Sequence, residues 1–340
     1  LLYGVVESNL GDNTVASVGM MYQNRHETPD YFGVPLHENS FNSPFKYDTY
    51  LGYNWARRQI RQFNLFSETN TFLNDNWQWS NRFSYTRSNS TDKIGAITNL
   101  STNYKGLAQG GSLATNNLQN YLNHGDEFVY RTGLTGKFDW LGQQQDVFLN
   151  YTYSYEKENT MWRRVRNSTA FDPFSFNGAE IAEPDWNNVT DSVNKRDRTH
   201  YRNRIISNAL SAGIRFSPTE KWHILAGARA TQWRNISETN YDIWNSAVDS
   251  DADSYTVTKR NRIVPYVGIT YDIDKNHSLY ASYTSIFKPQ SAKDYDSKTL
   301  APITGTNYEV GLKGSYYDGR LNTSLALFDV RQKNRPVYFS

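Results

Sequence analysis

The chain has 340 residues, no cysteine and a formal net charge of +2, which excludes disulfides, thiolate metal sites and a strong field for nucleic acid. Hydrophobic residues reach only 38 %, yet aromatics make up 15 %, with 25 Tyr, 17 Phe and 9 Trp. Disordered chains are polar but poor in aromatics, so this balance, at a mean hydropathy of -0.74, fits a sheet whose two faces both meet polar or interfacial surroundings.

Six hairpins are read in chain order. Leu1–Ser8 and Thr14–Asn24 flank Gly11-Asp12-Asn13, and Arg58–Phe72 and Trp77–Ser90 flank Asn74-Asp75-Asn76. Phe128–Trp140 and Asp146–Lys157 flank Leu141-Gly142, and Asn203–Phe216 and Trp222–Ile236 flank Ser217-Pro218-Thr219-Glu220. Thr256–Tyr271 and Ser278–Phe287 flank Asp274-Lys275-Asn276. The last pair, ending in 320–333, flanks Tyr317-Asp318-Gly319. These turns are short and rich in Gly, Asn, Asp or Pro, the residues that tight reversals select.

Between the hairpins lie long connections, read at about 25–57, 91–127, 158–202, 237–255 and 288–305. Short and long connections alternate strictly, so the short turns belong at one end of the sheet and the long loops at the other. The strands alternate too. Tyr308, Val310, Leu312 and Tyr316 share one parity, while Glu309, Lys313 and Ser315 hold the other. Strands of 11–15 residues exceed the usual soluble length and suit a tilted membrane crossing. The fold class expected is all-β, a transmembrane antiparallel up-and-down β-barrel contributing about twelve strands. One strand is irregular: Leu325 and Leu327 share parity with Asp329 and Arg331, so either Asp329 sits near the outer rim or a bulge switches the parity.

The motifs YASYTSIFKPQ (280–290) and LAPITGTNYEVGLKG (300–314) resemble the TonB-dependent ferric-siderophore receptors of Gram-negative outer membranes. Further matches are HILAGARATQWR at 223–234, IVPYVGITYDIDKNHSLYASYT at 263–284, LNTSLALFDVRQKN at 321–334 and NRHETPDYFGVPL at 24–36. The resemblance is closest to the hydroxamate branch, the ferric coprogen and rhodotorulic acid receptors, with the pyoverdine receptors nearby. It implies a 22-stranded barrel in the bacterial outer membrane, of which residues 1–340 form a central part. The N-terminal plug and the C-terminal strands lie outside it. LLYGVVESNL has no basic leader region and reads as mid-strand. The resemblance further implies a ferric siderophore as ligand, energised by TonB-ExbB-ExbD through the N-terminal part, with outer-membrane lipid and lipopolysaccharide around the barrel. No cofactor is expected, since ferric iron would be held only through the siderophore.

Such a ligand needs aromatic surface for its skeleton and donors for its oxygens. Candidates are Tyr31 and Phe32 in TPDYFGVP, Trp55 closing the first loop beside Arg57 and Arg58, Trp162, Arg163 and Arg164 in MWRRVRN, and Trp186 beyond. Tyr31 and Trp162 are the preferred pair. A girdle or loop-packing role competes for the aromatics, and lipopolysaccharide-phosphate or loop salt bridges compete for the arginines. No enzyme site is expected. The six histidines lack metal-ligand spacing and read as loop or rim residues. Asp249, Asp251 and Asp253 start like a calcium loop but lack its Gly and terminal Glu, so a solvated acidic loop is the better reading. Two other classes stay open: a passive porin-like channel, and a soluble carbohydrate-active β protein with a carboxylate pair in a cleft.

Overall fold

The computed structural model describes residues 1–29, 46–99, 113–165, 170–171, 177–186, 198–241, 254–290, 292, 294–296 and 298–337. Its strands are β1 (Leu2–Asn9), β2 (Thr14–Glu27), β3 (Arg57–Asn74), β4 (Trp77–Asn99), β5 (Leu113–Trp140) and β6 (Gln143–Val165). A two-residue β7 (Ala170–Phe171) follows, then β8 (Arg198–Phe216), β9 (Trp222–Tyr241), β10 (Ser254–Asp272), β11 (His277–Lys288), β12 (Ile303–Tyr316) and β13 (Leu321–Lys333). They form one antiparallel sheet in which each long strand pairs with the next, while β7 pairs with the start of β5. All twelve expected strands are present.

The turn chemistry is as the sequence dictates. Leu141 and Gly142 both take positive φ, the geometry a two-residue hairpin turn needs to match strand twist. Elsewhere a side-chain oxygen caps the turn. Asn74 Oδ1 accepts from the N–H of Asn76 and Trp77 at 2.9 and 3.0 Å. Asp274 Oδ1 does the same for Asn276 and His277 at 2.8 and 2.9 Å. Four of the six turns are also tied to the neighbouring hairpin: Asn13 O, Asn76 O, Lys221 O and Asn276 O accept from Phe72, Lys137, Asp272 and Ser315. The short-turn end is therefore one stitched rim.

The registers shift only near strand ends, between Phe72 and Asn74 and between Ala96 and Ile97, so rows can be read across the middle of the sheet. Trp79, Leu134, Leu149, Ala212, Ala228 and Pro265 lie on one face. Ser80, Gly133, Asn150, Ser211 and Arg229 lie on the other. The apolar face is open: Ile263 is 66 % exposed and Leu327 72 %. Leaving such side chains in water costs about 1.5–3 kcal/mol each, so this face is built for a non-aqueous neighbour. Among the described residues buried apolar side chains are few, and their one cluster, Tyr53, Ala56, Leu118 and Trp186, lies at the loop side of the sheet.

The strand β13 runs against β12 without a register shift, so no bulge switches its parity. Asp329 remains on the apolar side, opposite Tyr308 and near the long-loop end. Arg331 Nη2 neutralises it at 2.8 Å. The rim alternative is the one the structure adopts.

Two expectations need correction. Strands of 11–15 residues are too short: β5 has 28 and β4 and β6 have 23 each. Correspondingly, the connections expected at 91–127 and 158–202 contract to 100–112 and 166–197. The segment from Leu118 to Glu127 carries polar residues on both sides, with only Leu118 and Leu122 apolar on one of them, so its alternation is weak. The backbone ladder nonetheless continues, because an unpaired N–H or C=O would be costly. Second, MWRRV is strand rather than loop: Met161 to Val165 complete β6.

Candidate ligand-binding wall and loop clamp

Because Trp162, Arg163 and Arg164 are strand residues, they cannot act as one cluster. Successive side chains point to opposite faces, and the structure divides them.

Trp162 and Arg164 belong to the polar face, at the long-loop end. Trp162 lies opposite Tyr121 of β5. The two rings stack at 6.2 Å and 22°. Gln119 Oε1 accepts from Trp162 Nε1 at 3.1 Å and from Tyr121 O–H at 2.6 Å, fixing both rings. The Arg164 guanidinium sits 5.2 Å from the indole centroid, in cation–π range. The result is a rigid aromatic shelf with a cation above it.

Toward the turns, the same face continues as a polar wall. Thr160 Oγ1 donates to Asn123 Oδ1 at 2.8 Å, and Asn123 Nδ2 donates to Ser90 Oγ at 2.9 Å. Next come Glu127, Glu156 and Glu158, lining a cavity of about 360 Å³ with Gln62, Ser88 and Asn123. Gly125 opens that cavity, since a Cβ there would meet nothing nearer than 3.8 Å. Closer to the turns, Arg82 pairs with Glu68 at 2.5 Å.

Arg163, Trp55 and Trp186 lie on the other side, in a clamp that packs against the loop-side extension of the sheet. Tyr53 is fully buried, and Trp55 stacks on it at 5.1 Å and 7°. Trp186, 6 % exposed, meets Trp55 edge-on at 5.9 Å. Trp55 Nε1 donates to Ile181 O at 3.1 Å, and Arg163 Nη1 donates to Trp186 O at 3.1 Å. Glu183 is the polar centre. It accepts from Trp186 Nε1 at 3.0 Å, pairs with Arg57 at 3.2 Å and takes an ion pair from Lys93. Burial pushes the Glu183 carboxyl up, but the Lys93 and Trp186 hydrogen bonds and the charges of Lys93 and Arg57 together hold it below the ordinary value. Gly95 makes room for the clamp: a Cβ there would run into the Tyr53 ring.

Tyr31 and Phe32 lie outside the described residues, as do Asp249, Asp251 and Asp253. The sequence reading missed Gln119, Tyr121, Tyr53, Lys93 and Glu183. Extending the β5 alternation backward from Phe128 places Tyr121 and Gln119 on the polar face; for Tyr53 and Glu183 no sequence signal exists.

At the turn rim, Ser217 Oγ lies 2.8 Å from His223 Nδ1, and His223 Nε2 lies 3.1 Å from Asp272 Oδ2. This resembles a hydrolytic triad in composition only. Ser217 is 4 % exposed, and its backbone N–H and carbonyl are both held by Gln145 at 2.6 and 3.0 Å. The network ties the turn between β8 and β9 to β6 and β10. Among the described residues no group of three or more acidic or histidine side chains is placed to hold a metal ion.

Long antiparallel strands, a polar face, an open apolar face and strictly segregated turns and loops define an outer-membrane β-barrel wall. The sequence profile of the family "TonB dependent receptor-like, beta-barrel" matches residues 9–340, and the chain belongs to that family. It is 30 % identical over 338 residues to the ferric-pyoverdine 358 receptor of Pseudomonas putida, covering 98 % of this chain and 39 % of that protein. It is 27 % identical to the ferripyoverdine receptor of Pseudomonas aeruginosa, covering 98 % and 38 %. The crystal structure of the ferripyoverdine receptor of the Pseudomonas aeruginosa outer membrane, bound to ferripyoverdine, superposes with a TM-score of 0.77 at 25 % identity, covering 98 % of this chain and 41 % of that one. The alcaligin outer-membrane receptor of Bordetella pertussis has the same fold, with a TM-score of 0.63 at 23 % identity over 97 % and 42 %. The chain thus spans about two-fifths of the length of the relatives it matches, and it is outer-membrane barrel wall.

Proposed function

We propose that this barrel wall serves the uptake of a ferric siderophore, with Trp162, Tyr121, Gln119 and Arg164 as a ligand-facing shelf. The observation that carries the reading is the position of that shelf. It is the stacked aromatic pair at the loop end of the polar wall, and its polar atoms are already fixed by Gln119. A siderophore supplies every iron ligand itself, so the wall needs no metal-coordinating cluster. It needs a flat π-surface for the organic skeleton and a fixed cation for a ligand oxygen, and Trp162 with Arg164 offers both. Relatives named for ferric pyoverdine make that ligand the first to test. The chelating class we assign is hydroxamate, and the transport step is driven by TonB-ExbB-ExbD. The passive-channel reading draws on no particular observation of the described residues.

The test is radiolabelled-iron uptake by an iron-starved strain lacking the gene, complemented with wild type or Trp162→Ala. Hydroxamate siderophores and pyoverdines are supplied separately, with and without an intact TonB system. Uptake of at least one hydroxamate-bearing ligand, dependent on TonB and weakened about tenfold or more by Trp162→Ala, is expected; loss of one stacking ring is worth about 0.5–1.5 kcal/mol beyond its buried area. Uptake that is unchanged for every ligand on deleting the gene, or that persists without TonB, sinks the proposal.

A further inference from the structure

We infer that the barrel wall is slotted between β10 and β11, and that the slot passes the acyl chain of an amphiphilic siderophore from the barrel interior into lipid. The substrate class is then a ferric siderophore whose chelating head carries one long unbranched chain. This rests on the siderophore reading and narrows it.

The slot begins at a proline. On β10 the odd-numbered residues turn their backbone groups toward β11 and the even-numbered ones toward β9. Ile273 N–H donates to His277 O at 2.9 Å, and Asp272 N–H donates to Lys221 O at 2.8 Å. Pro265 belongs to the odd set, and proline has no N–H to give. Its carbonyl accepts from Ser285 Oγ at 2.9 Å, but the return bond to β11 cannot form. The register between the two strands stops there, with Tyr266 opposite Thr284 as its last pair. Neither strand stops with it. β10 runs on against β9 to Ser254, and β11 against β12 to Lys288. Proline within a sheet marks an edge, and here it creates two edges inside the wall. Toward the loops the gap is bridged again. Arg260 Nη2 donates at 3.1 Å to the carbonyl of Leu300, in the connection between β11 and β12. At the rise of a strand, the opening from Pro265 to Arg260 is roughly 16 Å long.

A cavity of about 400 Å³ lies at this place, and both faces of the sheet line it. Ile263, Pro265, Tyr283 and Tyr308 reach it from the apolar face, and Arg262, Val264 and Ile286 from the polar, interior face. A groove on one surface would be lined by one parity only, so this cavity runs through the wall. Its middle is apolar. Continuing the register of Tyr266 and Thr284 sets Val264 against Ile286 on the interior face. An aliphatic pair there has no lipid to meet, and yet Ile286 is 48 % exposed. The outer mouth opens at the top of the apolar band. On β10 that band ends with Pro265 and Ile263 before Asn261 and Lys259. Beside it the rings of Tyr283 and Tyr308, 5.1 Å apart, mark the membrane–water interface.

An apolar passage from a polar interior to a lipid surface suits a ligand with both characters. A siderophore without a chain makes no use of Val264 and Ile286. The cavity is at the small end of ligand sites, with room for one chain and not for a lipid with two. An acylated siderophore fits both mouths. Its head stays on the polar wall while its chain lies in the slot and the membrane, so the chain is not drawn through water.

The test is radiolabelled-iron uptake by an iron-starved strain lacking the gene and complemented with the natural full-length protein. The probes are a hydroxamate siderophore carrying a dodecanoyl chain and the same head without it. Wild type imports both. Val264→Trp/Ile286→Trp fills the slot, so uptake of the acylated probe falls about tenfold or more while the bare head stays within about twofold of wild type. Val264→Cys/Ile286→Cys has the same effect once oxidised, and reduction restores uptake in the same cells, which separates closure from misfolding. A third arm needs no variant: a diazirine at the end of the chain, activated on purified wild type, labels Ile263, Tyr283 or Tyr308. Import of the bare head but not of the acylated probe overturns the inference and leaves the siderophore reading standing. Import of neither removes both. Acylated uptake that persists in the Trp variant, or label confined to residues of the interior face, also overturns the inference.

Discussion

At the residue scale, the clamp depends on one carboxylate. Glu183 meets Lys93, Arg57 and Trp186 at once, and these partners hold its proton affinity down against the effect of burial. A carboxyl whose folded value lies below its unfolded value, about 4.3, contributes stability that is fully present above that unfolded value. The contribution is lost as pH falls through the lower, folded value. The clamp is therefore expected to hold at pH 7 and to loosen in acid below about pH 4. Glu183→Gln keeps the shape but removes the charge, so it should loosen the clamp at neutral pH and abolish the acid step. Hydrogen exchange of the 46–56 and 177–186 segments between pH 3 and 7 reads this directly. An acid step that survives in the Gln variant would assign the loosening to another group. None of this was legible from the sequence, because Glu183 stands 90 positions from Lys93 and 126 from Arg57, and only the fold brings them together.

At the element scale, alternation was legible wherever the two faces meet different surroundings. Val147, Leu149, Tyr151 and Tyr153 announce β6 because one face meets lipid and the other the polar wall. The signal fades from Glu156 onward, where polar and charged residues occupy both faces, and the sequence pattern alone ends the strand there. The same fading hid the shelf. Read as a loop, Trp162, Arg163 and Arg164 form one cluster. As a strand, they serve a ligand wall and a clamp on opposite sides. Where strand and clamp touch, packing is tight. Gly95→Val places a branched side chain into the Tyr53 ring, and overpacking of this kind costs about 1–3 kcal/mol. The cost falls on the clamp, not on the stitched turn rim at the far end of the same strands. The variant is expected to cleave faster at 46–56 under limited proteolysis while the thermal midpoint of the barrel stays within a few degrees. A large drop in that midpoint would show that the clamp and the barrel unfold as one unit.

At the scale of the whole molecule, the sheet ends in two edge strands, each paired on one side only. β1 and β13 are exposed along their entire length, and among the described residues no strand joins one to the other. Each presents a row of backbone donors and acceptors, beside apolar side chains such as Val6 at 73 % and Leu325 at 71 % exposure. Edges of that length template pairing with whatever strand is available. In a closed barrel the neighbouring strands occupy both edges, and no edge survives. The segment 1–340, refolded alone in detergent, is accordingly expected to associate edge to edge rather than remain monomeric. Light scattering after size exclusion reads the outcome. Ala326→Pro on β13 would test the route. This residue pairs with Gly311 of β12, so the substitution both distorts the edge and withdraws a donor. If association runs through β13, the variant shifts the population toward dimers joined only through β1. An unchanged distribution would place the contact on the apolar face instead, which in detergent is covered by micelle and has no backbone groups to offer.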